Sequence, residues 1–263
     1  VSFSIAVAGK GGSGKTSLAS LIIRYLRKNG VGPILAVDAD PNVNLGESLG
    51  IEVEQTVGSV IAAFDEEKMN LSPGITKETY LGYQLSTALV EQEGFDLLVM
   101  GRGAGPGCYC YPNHVLTNFI SILAENYAYV VIDNEAGMEH LSRRTTQDID
   151  VLLVISDHSV RGVRTVARIR DLIFELKLAV KRQAAVINFV PDRLDPFIVE
   201  ELARLSIEPV ATIPLDEEVH RYDLRLKSLL DLPDTTAAVG AVHDLMTEIL
   251  SGRSKNKNVG TDY

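Results

Sequence analysis

The chain has 263 residues, 46% of them hydrophobic but only 6% aromatic, no tryptophan, and a formal net charge of −10. This length fits one large α/β domain or two small ones, and the aliphatic bias suits a buried parallel sheet of Val, Ile and Leu. The acidic balance argues against non-specific nucleic-acid binding, no apolar run approaches bilayer length, and the first strand leaves no room for a signal peptide, so a cytoplasmic protein with neither a nucleic-acid nor a membrane partner is expected.

The first predicted element is an apolar strand at 3–8. It runs into Gly9-Lys10-Gly11-Gly12-Ser13-Gly14-Lys15-Thr16, and the helix predicted for 15–28 follows at once. Gly9, Gly14, Lys15 and Thr16 match the eight-position phosphate loop, whose bare glycine backbone lets amide N–H groups approach phosphate oxygens. The helix N-terminus behind the loop favours an anion. Lys15 is expected to reach the β- and γ-phosphates and Thr16 to ligate Mg²⁺, with Gly9 to Ser17 as the nucleotide-binding run. Leu18, Leu21, Ile22, Tyr25 and Leu26 carry the helical spacing, and Asn29-Gly30 stops it.

A strand at 34–38 ends in Asp38-Ala39-Asp40-Pro41-Asn42. Two carboxylates just past a strand end suit a metal and an attacking water: Asp38 is assigned to the metal side and Asp40 to orienting the water. A helix at 56–65 comes next. Residues 66–95 carry no readable pattern. After a strand at 96–100 comes Gly105-Pro-Gly-Cys108-Tyr-Cys110, a glycine-rich loop before a helix at 114–125 that Asn113 is placed to cap. Cys108 and Cys110 are the only cysteines, and their closeness disfavours a structural disulfide. Two thiolates supply half of a four-coordinate soft-ligand site, with a second subunit supplying the rest. Square-planar geometry would suit Ni²⁺ and tetrahedral geometry Zn²⁺. The helix N-terminus would lower the thiol pKa values. Two buried, inert cysteines are the alternative, and His114 is either a further ligand or a decoration of the first helical turn.

The strand at 128–132 runs into Asp133, the Walker B arrangement of a carboxylate bonded to the Mg²⁺ shell. Gly137 is placed to offer its amide to the γ-phosphate, and Glu135 either assists or is a surface glutamate. Further strands fall at 151–155, 184–189 and 209–213, and helices at 138–148, 161–177, 196–205 and 235–250. Asn188 is assigned to pair with adenine, although a strand-end asparagine also serves turns, and Pro214 to flank the base. Repeated β-α units imply an α/β fold: a single P-loop NTPase domain over 1–250, its mostly parallel central sheet covered by helices on both faces, with ligands at the carboxyl ends of the strands. Residues 251–263 are expected to form a polar, disordered tail.

The loop at 9–16, Asp38-Ala-Asp40-Pro41 and Asp133-Asn-Glu-Ala136-Gly137 resemble, in order, the motifs of the deviant Walker A, or MinD-like, ATPases. The likeness runs from Val7 to Pro214. It implies Mg²⁺-dependent ATP hydrolysis in an ATP-bound homodimer where Lys10 reaches the γ-phosphate of the partner subunit. Lys10, Lys15 and Asp40 are then the candidate catalytic residues. Within this class, Gly105 to Cys110 and Glu139-His-Leu-Ser-Arg-Arg-Thr145 look like the CooC-type carbon monoxide dehydrogenase accessory ATPases. That resemblance implies a nickel metallochaperone whose client is carbon monoxide dehydrogenase or acetyl-CoA synthase. Two other readings stand beside it. An electron-transfer ATPase like the nitrogenase iron protein is disfavoured because no cysteine follows Asp133. A positioning ATPase acting on membrane or DNA is disfavoured by the acidic balance and the featureless tail.

Overall fold

Alternation along the central strands divides their side chains between two cores. In β1 (Phe3–Gly9), Ile5 and Val7 face one core while Ala6 and Ala8 face the other. In β2 (Ile34–Asp38), Ile34 and Ala36 are opposed to Leu35 and Val37 in the same way. Strands buried on both sides read as unbroken apolar runs, which is why the sequence locates them sharply. The architecture is that of a computed structural model describing residues 2–67, 74–102, 110–134 and 149–257, without the side chains of 110–117 and 252–257.

Six further strands complete one eight-stranded sheet: β3 (Leu89–Gln92), β4 (Phe95–Val99), β5 (Tyr129–Asp133), β6 (Ile149–Asp157), β7 (Val180–Val190) and β8 (Pro209–Pro214). Their order is β3-β4-β2-β5-β1-β6-β7-β8. Every neighbouring pair is parallel except β3 with β4. The mostly parallel α/β sheet expected from the sequence is therefore present, with one antiparallel edge strand that the sequence did not show.

Against the first core lie α1 (Lys15–Lys28) and α9 (Ala237–Lys257), through residues such as Ile22, Leu26, Leu245 and Met246. Against the second lie α3 (Val57–Glu67), α4 (Lys77–Thr87), α5 (Cys110–Glu125) and α6 (Val160–Glu175), through Ile61, Leu81, Leu85, Ile120 and Ile169. Burying each such aliphatic side chain stabilises the fold by about 1.5–3 kcal/mol. A smaller cluster joins α6 to α7 (Pro196–Arg204) over β7, through Val163, Ile187, Ile198 and Leu202. The short helices α2 (Asn44–Leu49) and α8 (Glu217–Asp223) stand at the carboxyl ends of the strands. Helix α9 continues to Lys257, into the segment assigned from sequence to a polar tail. Its polar residues contain no proline to stop it. Among the described residues no helix is long and apolar enough to cross a membrane.

Candidate functional site: a phosphate loop, two buried carboxylates and an apolar cavity

Strand β1 delivers the glycine-rich loop to the centre of the sheet, between β5 and β6. Gly14 ends the loop as the residue preceding α1, with φ +87 in the left-handed region. A Cβ there would also stand 2.3 Å from Nδ2 of Asn188, so glycine is required on two counts. At Gly9 a Cβ would meet the Ile155 carbonyl oxygen at 2.2 Å, because β1 and β6 are register partners there. The Lys10 carbonyl organises the loop. It accepts from Ser13 N at 3.3 Å, from Ser13 Oγ at 2.8 Å and from Lys15 Nζ at 3.3 Å. The Lys10 side chain is exposed, whereas Ser13 and Lys15 are buried.

Below the loop, Thr16 Oγ1 donates to Asp133 Oδ2 at 2.6 Å, bringing together residues 117 apart in sequence. Asp133 and Asp38 are register partners at the ends of β5 and β2. Asp38 is fully buried and Asp133 is 1% exposed. Burial pushes the Asp133 carboxyl up to about 7, with the nearby Asp38 adding to the rise and the Thr16 hydroxyl opposing it. Burial likewise pushes Asp38 up to about 6, against hydrogen bonds from the Leu45 and Asp40 amides. Asp133 Oδ1 is buried with no hydrogen-bond partner among the described residues. An unpaired buried carboxylate oxygen is costly. A hard divalent cation binds oxygen ligands and stabilises ionised carboxylates. Thr16 and Asp133 therefore fit Mg²⁺ accompanying a nucleotide.

Residues 4–229 match the family described as the CobQ/CobB/MinD/ParA nucleotide binding domain. The chain belongs to that family. It is a P-loop ATPase of the MinD-like class. An uncharacterised ATP-binding protein of Methanocaldococcus jannaschii is 42% identical over 94% of the chain and 98% of its own length. The carbon monoxide dehydrogenase accessory protein CooC of Rhodospirillum rubrum is 30% identical over 94% of the chain and 95% of its own. Among solved structures, the septum site-determining protein MinD of Pyrococcus horikoshii, complexed with Mg-ADP, superposes with a TM-score of 0.67 at 18% identity. It covers 96% of this chain and 98% of that one.

As in a doubly wound sheet generally, this MinD-like ATPase groups its candidate residues at the carboxyl edge. Gly9 to Ser17, Asp38, Asp40, Asp133, Asn188 and Pro214 all lie on the loop or at strand ends there. Asp38 is less open than its assigned metal-side role suggests. Its Oδ1 accepts from Asp40 N at 3.0 Å and its Oδ2 from Leu45 N at 2.9 Å, so it pins the first turn of α2. Asp40 Oδ1 accepts from Asn42 N at 2.8 Å and Asn42 Nδ2 at 2.9 Å. Asn188 Nδ2 donates to the Ser13 carbonyl at 2.9 Å, bracing the phosphate loop from β7. Beside it opens an apolar-walled cavity of about 330 Å³, bounded by Ser17, Leu21, Phe189, Ile213 and Pro214. Sequence reasoning missed Phe189 and the Leu21 and Ile213 walls. The signal available was the residue following Asn188 at the end of a buried strand. Gly137, Glu135, Cys108 and the helix expected at 138–148 lie outside the described residues, as do the side chains of Cys110, Asn113 and His114.

Proposed function

We propose that this MinD-like ATPase is a nickel metallochaperone, which hydrolyses ATP in the cytoplasm to help mature a nickel-iron-sulfur enzyme. The observation that carries this reading is the likeness to the accessory protein CooC along nearly the whole of both chains, in a protein whose only two cysteines form Cys108-Tyr-Cys110. Metal is the cargo, and the thiolates of Cys108 and Cys110 hold it together with the same pair from a second copy. Four thiolates suit Ni²⁺ in a square plane and Zn²⁺ in a tetrahedron. The client is a carbon monoxide dehydrogenase or an acetyl-CoA synthase.

The nucleotide half of the reading follows from the loop. Lys15, now held by the Lys10 carbonyl, is within the loop that would receive the β- and γ-phosphates. Thr16 and Asp133 hold Mg²⁺, which when bound supplies charge neutralisation to the phosphates. Asp40 orients the attacking water. Asn188 pairs with adenine through its side-chain amide and Pro214 flanks the base, at the 330 Å³ cavity that both residues line. Gly137 senses the γ-phosphate, and Lys10 reaches the partner subunit's nucleotide. Closing the dimer on ATP brings the two cysteine pairs together, and hydrolysis releases them. Nucleotide and metal are thus thermodynamically coupled.

Anaerobic native mass spectrometry with and without ATP and nickel tests this by reporting subunits, nucleotides and metal ions together. The wild-type protein should form a dimer carrying one nickel ion. A Cys108→Ala, Cys110→Ala protein should retain nucleotide but no nickel. Stoichiometric nickel on that double variant overturns the reading.

A further inference from the structure

Phe189 has φ +59, the left-handed region that bulky side chains rarely adopt. Holding a residue there costs about 1–3 kcal/mol and persists only where the surroundings over-determine it. The strain coincides with a break in register between β7 and β8, which falls between Ile187 and Val190. It also coincides with an exception in burial. Every residue from 184 to 190 is buried except Phe189, which is half-buried. The ring lies beside the phosphate loop, its Cζ 3.0 Å from where a Cβ on Gly14 would stand. It also lines the 330 Å³ cavity, where the one other aromatic side chain among the described residues is that of His220. The irregular backbone thus leaves one aromatic ring partly uncovered, between the phosphate loop and a largely apolar cavity.

We propose that Phe189 is a base-stacking residue: its ring is the platform on which the nucleobase of the bound triphosphate rests. This rests on the nucleotide-binding reading above and assigns within it a contact that neither the phosphate loop nor Asn188 supplies. Hydrogen bonds at a base edge distinguish one base from another, whereas a π-face rewards ring area. Stacking on Phe189 therefore favours purine over pyrimidine triphosphates. The backbone strain is retained because the ordinary strand conformation would carry the ring away from the cavity.

Equilibrium titration with Mg²⁺ and three probes tests this: ATP, UTP and inorganic tripolyphosphate, which has no base. Phe189→Leu should weaken ATP by roughly 5- to 100-fold, the loss expected when an aromatic platform under a base is removed. UTP should lose less, and tripolyphosphate should change by less than about twofold. Phe189→Tyr should bind ATP as the wild type does. Phe189→Asn guards against a folding artefact, since asparagine tolerates the left-handed region. It should keep its thermal unfolding temperature and show the same ATP loss. Unchanged ATP affinity in Phe189→Leu overturns the proposal. So does an equal loss of ATP and tripolyphosphate, which would make the ring a prop for Gly14. If the wild-type protein itself binds none of the three, it is the nucleotide-binding reading that fails.

Discussion

At the residue scale, the site turns on two glycines, Gly9 and Gly14, where one atom more would not fit. Gly14 combines a left-handed backbone with the Asn188 amide and the Phe189 ring where a side chain would start. Gly14→Ala should cost about 1–3 kcal/mol of stability from the backbone alone, and the displaced Asn188 should release its bond to Ser13. Denaturant unfolding checks the first effect and ATP titration the second. Wild-type ATP affinity in a destabilised Gly14→Ala protein would separate loop geometry from binding. The sequence shows these glycines because the phosphate-loop pattern is written in residue types. It also shows Thr16 and Asp133, although not that they touch. It does not show Phe189, because nothing in a strand's composition announces a left-handed phenylalanine. Nor does it show that both oxygens of Asp38 are taken by amides, since that depends on how the following turn folds back.

At the element scale, legibility follows burial. Strands β1, β2 and β5 and helix α1 are apolar where they meet a core, and their positions are read to within a residue or so. Strand β3 is four residues at the sheet edge with none fully buried, and its two apolar residues make no pattern. Helix α8, Glu217–Asp223, has no buried residue at all and hence no stripe to detect. Helix α4 carries Gly82 at its middle and buries only Leu81 and Leu85. The joint between α6 and α7 has, beside its apolar cluster, an ion pair that no sequence pattern announces. Glu201, 8% exposed, accepts from Arg164 Nε at 2.5 Å and from Arg204 Nε and Nη2 at 2.7 Å each. The Arg204 and Arg164 guanidiniums hold its carboxyl down at about 2. A carboxyl lowered in the folded state stabilises above its unfolded value of 4.5, and that contribution disappears as pH falls through about 2. Glu201→Gln should therefore be less stable than wild type at pH 7. The gap should close between about pH 4.5 and pH 2, as the wild-type carboxyl takes up its proton. Thermal unfolding across that range measures it, and a gap that is constant with pH would place the effect in packing instead.

At the scale of the whole molecule, the proposed dimer requires a residue that acts across its interface, and Lys10 allows a clean test. Its main-chain carbonyl gathers Ser13 N, Ser13 Oγ and Lys15 Nζ, so the loop is built on the backbone of residue 10 rather than on its side chain. The side chain is exposed. Lys10→Ala leaves the carbonyl, the adjoining glycines and the Thr16–Asp133 pair in place. ATP affinity of the single protomer should consequently change by no more than about threefold, the scale of losing an exposed charge near the phosphates. Assembly is different, because the proposed contact of Lys10 with the partner's phosphate is charge-assisted and would form only in the dimer. ATP-driven dimerisation and hydrolysis should both fall by at least about tenfold, the equivalent of 1.4 kcal/mol. Sedimentation with a slowly hydrolysed ATP analogue, beside phosphate release, reads both. An arginine at the same position should restore some assembly, since a guanidinium also pairs with phosphate, but hydrolysis less completely because its fork is not a point charge. A Lys10→Ala protein that dimerises and hydrolyses ATP normally would confine the residue to its carbonyl.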